Sequence, residues 1–342
     1  MTKSGHAIGK RTTIYDLAKL AGSSPTAVSS VLNGSWKKRR ISAALAEKIT
    51  KIADEHGYAV NLQAAGLRKD TSHLIGMIVP KYDNRYFGSI VEQFETMARA
   101  RGLFPIITCT QRDAELELQA ARAMISHQVG WLIATGATDP DRLTELCQAA
   151  GVRALNLDLP GTLAPSVISD NRGGAKHLTE RLLRAMAEQG LAEAPVLFIG
   201  GRASDHNTRE RLAGYHAALA EAGRAPDPSR VFTFGYAPEK AMKTLSDLTR
   251  NGAPPPQAMF VSSTITLEGV LRWVQASGLY PERPPQIACF DWDPLAAALN
   301  PNIVMQRQDV PKMLAALFKL IDAPEAPPEV IEIATLAGET RL

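Results

Sequence analysis

Four consecutive cations, Lys37, Lys38, Arg39 and Arg40, follow Trp36 in this 342-residue chain. Ammonium and guanidinium groups in such a run suit phosphate neutralisation, where each contact releases condensed counterions and adds affinity that does not depend on base sequence. Nucleotide-binding loops and metal-ligand spacings are missing by comparison. No GxGxxG or GxxxxGK[ST] follows an apolar run, Gly200-Gly201 alone says little, and the seven histidines lack metal-ligand spacing. Cys109, Cys147 and Cys289 lie far apart without CxxC spacing, which predicts reduced thiols. No metal, no cofactor and no enzymatic activity are expected.

The elements that must carry the cations can be read directly. In TIYDLAKLAG, Thr13 caps a helix with Asp16 at its third position, and Ile14, Leu17, Ala18 and Ala21 recur at helical spacing until Gly22. Ser24 caps a second helix that starts at Pro25, where the missing N–H costs nothing. Val28, Val31 and Leu32 form its inner face, and Asn33-Gly34 stops it. A third helix runs from a Ser42 cap through Leu45, Ile49, Ile52 and Ala53 to Gly57. This helix, tight turn and helix on a small three-helix core would present Ser24, Pro25, Thr26 and Ala27, with Ser29 and Ser30, outward as a recognition helix for the major groove.

Charge divides along the chain in the same sense. Residues 1–70 hold 12 Lys and Arg against 5 Asp and Glu, and the remainder holds 26 against 30, so the net +3 conceals a basic head on an acidic body. A polyanion partner for the head follows. With 45% apolar and 21% charged residues the chain can fill real cores, which excludes disorder throughout. Apolar runs such as LIGMIV at 74–79 fall far short of the ~18 residues a membrane span needs, and the basic N-terminus has no apolar h-region. A cytoplasmic protein without a membrane partner is expected.

From residue 74 apolar runs alternate with amphipathic stretches: LIGMIV, a helix around residues 90–97, FPIITC, a helix over 115–125, WLIAT, a helix over 142–149, and ALNLD. The pattern restarts at Asn171 with helices to about 188, over 207–221, from Pro238 and from Leu267, interleaved with VLFIG, RVFTF, AMFV and QIACFD. Such alternation predicts an α/β body of two doubly wound parallel-sheet halves behind an all-α head.

TIYDLAKLAGSSPTAVSSVLNG, then IS and HGYAVN, then QAAGLR leading into LIGMIVP, resemble the LacI/GalR family of bacterial transcriptional repressors over essentially the whole chain. The resemblance implies a helix-turn-helix domain at 1–60, a hinge helix and linker at 61–72, and an effector-binding and dimerisation core of periplasmic-binding-protein type at 73–342. The core's N-subdomain is expected at about 73–170 plus 308–327 and its C-subdomain at about 171–307 plus 328–342. On the DNA side it implies base-edge positions Pro25, Thr26 and Ser30, flanked by Thr13, Tyr15, Ser24, Ala27, Ser29 and Asn33. Lys37, Lys38, Arg39 and Arg40 would contact the backbone, and Leu67, with Ala64 beside it, would act as a minor-groove wedge. On the effector side it implies Asn84, Tyr86, Phe87, Asp158, Arg211, Tyr236, Asp291 and Gln308. Ser263-Thr264 stand where most members carry Asn-Asp, and Trp292 after Asp291 is unusual.

The implied function is a repressor of a carbohydrate uptake or catabolism operon, binding a palindromic double-stranded operator as a homodimer under control of a small sugar or sugar derivative. A dimer is expected because the chain ends six residues after Leu336 without leucine heptads. A transport-type sugar-binding protein would need a signal peptide and no basic head. A sugar-active enzyme on the same sheets would need the phosphate or dinucleotide loops that are missing.

Overall fold

The computed structural model describes residues 12–58, 72–300, 302–323 and 326–338. The chain divides into two compact units, 1–71 and 72–342. In the first, α1 (Ile14–Ala21) opens on a capping box in which the Thr13 hydroxyl accepts from the Asp16 amide while Asp16 accepts from the Thr13 amide. It ends on Gly22 at φ 64°, a left-handed conformation that glycine adopts without strain. Next come α2 (Pro25–Leu32) and α3 (Ala43–Glu55), capped by Ser24 and Ser42 as their spacing predicts. Leu17, Ala18, Ala21, Val28, Val31, Ala46, Ile49 and Ala53 form one buried cluster. The Lys48 ammonium donates to the Ala21 carbonyl at 3.0 Å, placing a cation at the negative end of α1.

The second unit holds two six-stranded sheets. The first half contributes β1 (Leu74–Val79), α4 (Arg85–Ala100), β2 (Phe104–Cys109), α5 (Ala114–Ser126), β3 (Trp131–Thr135), α6 (Pro140–Ala149), β4 (Arg153–Leu157) and β5 (Ser166–Ser169). The chain then crosses to α7 (Asn171–Glu188), β6 (Val196–Ile199), α8 (His206–Glu221), β7 (Val231–Phe232), α9 (Pro238–Arg250), β8 (Ala258–Val261), α10 (Thr264–Ser277), β9 (Gln286–Phe290), α11 (Pro294–Leu299) and β10 (Ile303–Arg307). It returns with α12 (Val310–Asp322) and β11 (Val330–Ile333), and ends in β12 (Leu336–Ala337). The strand orders are β11-β5-β4-β3-β1-β2 and β12-β10-β9-β8-β6-β7, parallel except for the antiparallel β10–β12 pair.

Both faces of each sheet are covered, so the strands read as nearly unbroken apolar runs. α4 and α12 bury Phe94, Met313, Leu317 and Phe318 against one face of the first sheet, with Leu118, Ala121 and Leu143 of α5 and α6 on the other. α7 and α8 bury Leu178, Leu182 and Tyr215 against the second sheet, with Leu245, Leu267 and Trp273 opposite. α7 and α8 approach so closely that a Cβ at Gly214 would run into the Arg172 carbonyl.

The segment 328–342 is expected with the second half, but its described residues, 328–338, are shared between the halves. Val330–Ile333 pairs in parallel with β5 of the first sheet, and only Leu336–Ala337 joins the second. The chain thus changes halves between residues 333 and 336, and β11 becomes the edge of the first sheet beside β5.

Candidate functional site

In the head, Thr13, Tyr15, Ser24, Thr26, Asn33, Lys37, Lys38, Arg39 and Arg40 are exposed, and Pro25, Ala27 and Ser29 are half-buried. The Ser24 hydroxyl accepts from the Ala27 amide at 3.1 Å, fixing the first turn of α2 and leaving Thr26 outward. Lys37 Nζ lies 5.5 Å from the centre of the Trp36 ring, tying the start of the cationic loop to an aromatic face. Ser30 departs from the base-edge expectation, being only 3% exposed. Its hydroxyl donates to the Thr26 carbonyl at 2.8 Å, and the following turn closes over it through a Ser35 hydroxyl bond to the Ser30 carbonyl. A short side chain satisfied within its own helix does not reach a groove. Ala64 and Leu67 lie outside the described residues.

In the second unit the sheets direct their carboxyl-terminal strand ends at one another, the usual location for ligands in open α/β sheets. Asp158 directly follows β4 at φ 75° and Asp291 directly follows β9 at φ 91°, left-handed conformations that strain a side-chain-bearing residue. Tyr86 Oη donates to Asp158 Oδ1 at 3.0 Å, and Asn207 Nδ2 reaches the same oxygen from the opposite half at 3.3 Å. Gln308 Nε2 donates to Asp291 Oδ1, while Ser169 Oγ at the end of β5 donates to Gln308 Oε1 at 2.7 Å. Arg211 is 4% exposed, donates through Nε to Asn171 Oδ1 at 2.8 Å and through Nη1 to the Ser262 carbonyl at 2.6 Å, and lies 3.8 Å from the Phe290 ring centre.

These groups share one electrostatic environment. Burial pushes the Asp291 carboxyl up to about 6 against the pull of Arg211 and Gln308, with the charge of Asp158 adding to the rise. Burial likewise raises Asp158, opposed by Arg112 and Arg211. The Tyr86 phenol is pushed well up by burial and by both carboxylates, so it serves as a donor.

The eight positions implied for the effector do not all share one wall. Asn84, Tyr86, Asp291 and Gln308 line a cavity of about 1190 Å³ between the halves, with Thr264 and Trp292. Asn84 caps α4 by accepting from the Phe87 amide at 3.2 Å and reaches the Thr264 hydroxyl across the cavity at 3.4 Å. Ser263 turns its hydroxyl to the Thr266 amide at 3.2 Å as the cap of α10. Asp158, Arg211 and Tyr236 lie behind this cavity, where the Tyr236 and Thr208 hydroxyls meet at 3.2 Å. Phe87 is a core residue of the first half, 5% exposed and packed with Ile90, Phe94 and Val310. Its ring stands 5.0 Å from that of Tyr86, so it supports the tyrosine.

Sequence reasoning missed Ser169, Asn171, Asn207, Thr208, Arg112 and Asp205. Asn207 could have been found, since it precedes Arg211 by four residues on α8 and shares its face. The others sit at strand or helix ends, whose convergence depends on how the two sheets face each other. Among the described residues no group of three or more His, Cys, Asp or Glu is placed to hold a metal ion. Carboxylates, an arginine and several amides and hydroxyls can instead exchange hydrogen bonds with a hydroxyl-rich molecule.

A helix-turn-helix head with an exposed cationic loop, on one chain with a two-lobed ligand cleft, defines a DNA-binding regulator with a sensing domain. The profile of the lacI family of bacterial regulatory proteins matches residues 13–61, and that of the periplasmic binding protein domain matches residues 75–304. The ribitol operon repressor of Klebsiella aerogenes is 65% identical over 193 residues, 56% of this chain and 72% of that protein. The sucrose operon repressor of Klebsiella pneumoniae is 31% identical over 301 residues, 88% of each chain. In fold, the chain resembles the lac repressor dimer bound to operator and the anti-inducer ONPF, with a TM-score of 0.78 at 22% identity over 96% of this chain and 98% of that one. The chain belongs to the lacI family of bacterial regulatory proteins and is a DNA-binding transcriptional regulator.

Proposed function

We propose that the protein represses an operon for uptake or catabolism of a pentitol of the ribitol type, acting without catalysis in the cytoplasm. Two heads related by a two-fold axis read inverted half-sites, so the operator is a palindrome and the working species a homodimer. Thr26 and its neighbours on α2 read bases, the loop 37–40 holds phosphates, and Leu67 enters the minor groove.

The observation that carries the effector assignment is Asp291, at a strand end on the cavity wall with Asn84, Tyr86 and Gln308, while Asp158 behind it accepts from the Tyr86 phenol at 3.0 Å and fixes that ring. Vicinal hydroxyls donate to carboxylates and accept from the amides and guanidinium around them. Among the residues lining the cavity, Asp83, Glu92, Glu268, Asp291 and Asp293 outnumber Lys81, Arg85 and Arg307, which disfavours phosphorylated ligands. The 65% identity to the ribitol operon repressor supports a pentitol over a hexose.

The test measures binding of the purified protein to the intergenic DNA beside its own gene by fluorescence anisotropy, with and without ribitol. Protection of two inverted half-sites is expected, with operator affinity changed about 5- to 150-fold by ribitol. Operator binding indifferent to every pentitol and sugar tried would refute the effector assignment.

A further inference from the structure

Arg112 and Asp205 face each other across the cleft, and we propose that this pair is the latch that holds the two halves closed on a bound effector. Arg112 belongs to the first half, between β2 and α5, and Asp205 to the second, immediately before α8. Arg112 Nη1 lies 3.8 Å from Asp205 Oδ2, with the side chains only 13% and 11% exposed. The guanidinium also spans the gap through its faces, 5.9 Å from the ring centre of Phe87 in its own half and 4.7 Å from that of Tyr236 in the other.

Each partner is held in an otherwise unfavourable state. Gln111 and Arg112 are successive left-handed residues at φ 55° and 58°, and neither is glycine. Strain of this kind persists only where surrounding contacts impose it. The Arg112 carbonyl accepts from the Thr138 hydroxyl at 3.3 Å, and Arg112 Nη1 donates to the Gly136 carbonyl at 3.4 Å. Thr138 in turn is gripped through its amide and hydroxyl by the buried Glu117 carboxylate at 3.0–3.1 Å.

Asp205 occupies the cap position of α8, yet its side chain caps nothing. Its buried Oδ2 has no hydrogen-bond partner, and the facing cation is Arg112. An aspartate that forgoes its cap to stand in a low-dielectric gap opposite an arginine is placed for attraction between the halves. A second charged pair across the cleft among the described residues, Arg85 with Asp293 at 3.1 Å, has side chains 54% and 26% exposed, where water and salt weaken it. Arg112 is therefore a positioning residue for effector retention: opening the cleft separates it from both Asp205 and the Tyr236 ring.

The proposal rests on the effector reading above, and one set of titrations separates the two. Ribitol binding to the full-length wild type, Arg112→Gln, Asp205→Asn and the double variant is followed by calorimetry and stopped-flow fluorescence, with thermal unfolding to establish that each is folded. Each single variant should bind about tenfold more weakly through faster dissociation, and the double variant about tenfold rather than a hundredfold, because removing the second partner of one pair costs little more. Wild-type affinity in both single variants, or losses that multiply in the double variant, overturns the latch. If Arg112→Gln does not fold, the near-isosteric Asp205→Asn decides alone, by faster dissociation or its absence. Failure of the wild type to bind any pentitol overturns the effector reading, and the latch with it.

Discussion

Replacing Asp291 by Asn keeps the shape of the side chain and removes its charge. Burial raises this carboxyl from 3.8 to about 6. Because the folded value is the higher one, the folded protein retains a proton that the unfolded chain releases between pH 3.8 and about 6. Stability from this group is therefore fully present below the lower value and is lost as pH rises through the upper one. At about 1.4 kcal/mol per pH unit, the charged carboxylate costs the fold about 3 kcal/mol at pH 7. An asparagine amide never ionises, but it imitates the neutral acid imperfectly against the Gln308 amide, a mismatch of about 1–2 kcal/mol. The net expectation at pH 7.5 is a gain of about 1–2 kcal/mol, raising the melting temperature by a few degrees, about 2–4 °C per kcal/mol in a core of this size. At pH 4 the gain should disappear or reverse. Thermal unfolding of both proteins from pH 4 to 8, followed by circular dichroism, reads this directly. A difference between them that does not vary with pH would refute the argument. Effector binding should show the opposite sign, because ligand hydroxyls favour the ionised carboxylate: wild-type affinity should be about tenfold weaker at pH 5 than at pH 8.

In the head, Thr26→Ala should weaken operator binding by about 1 kcal/mol or more while sparing random DNA; equal discrimination in a competition assay would remove α2 from the base-reading role. Replacing Lys37 and Lys38 together by Ala should weaken binding to every sequence and lower the slope of log K against log salt by about 1.8; an unchanged slope returns the loop to plain solvent. Gly214→Ala should destabilise the second unit by about 1–3 kcal/mol through overpacking of α7 against α8, measured by urea unfolding, and a neutral result would contradict the close approach to the Arg172 carbonyl.

Local sequence determined the elements whose causes are local. Caps at Thr13, Ser24 and Ser42, the stops at Gly22 and Gly34, and the apolar runs at 74–79, 104–109, 131–135 and 258–261 each follow from residues within one turn or one strand. The structure keeps these elements within a few residues. Ser166–Ser169, Ile303–Arg307 and Val330–Ile333 gave no comparable signal, since short segments become strands only when a neighbouring strand supplies their hydrogen bonds. α12 carries a strongly apolar face, but that face alone does not say which sheet it covers; the family resemblance implied the first half, where it packs.

The site divides in the same way. Asp158 and Asp291 end apolar runs, so their place at strand ends was legible, and so were the exposed cations at 37–40. That Phe87 supports Tyr86 from the core, that Ser30 is folded under the next turn, and that Arg112 meets Asp205 were not legible. Each depends on surfaces distant in sequence being brought within a few ångströms, and pattern along a chain carries no measure of that distance. Sequence determined which groups were available and on which elements; tertiary structure decided which carboxylates were buried beside which cations, and so which of them are charged.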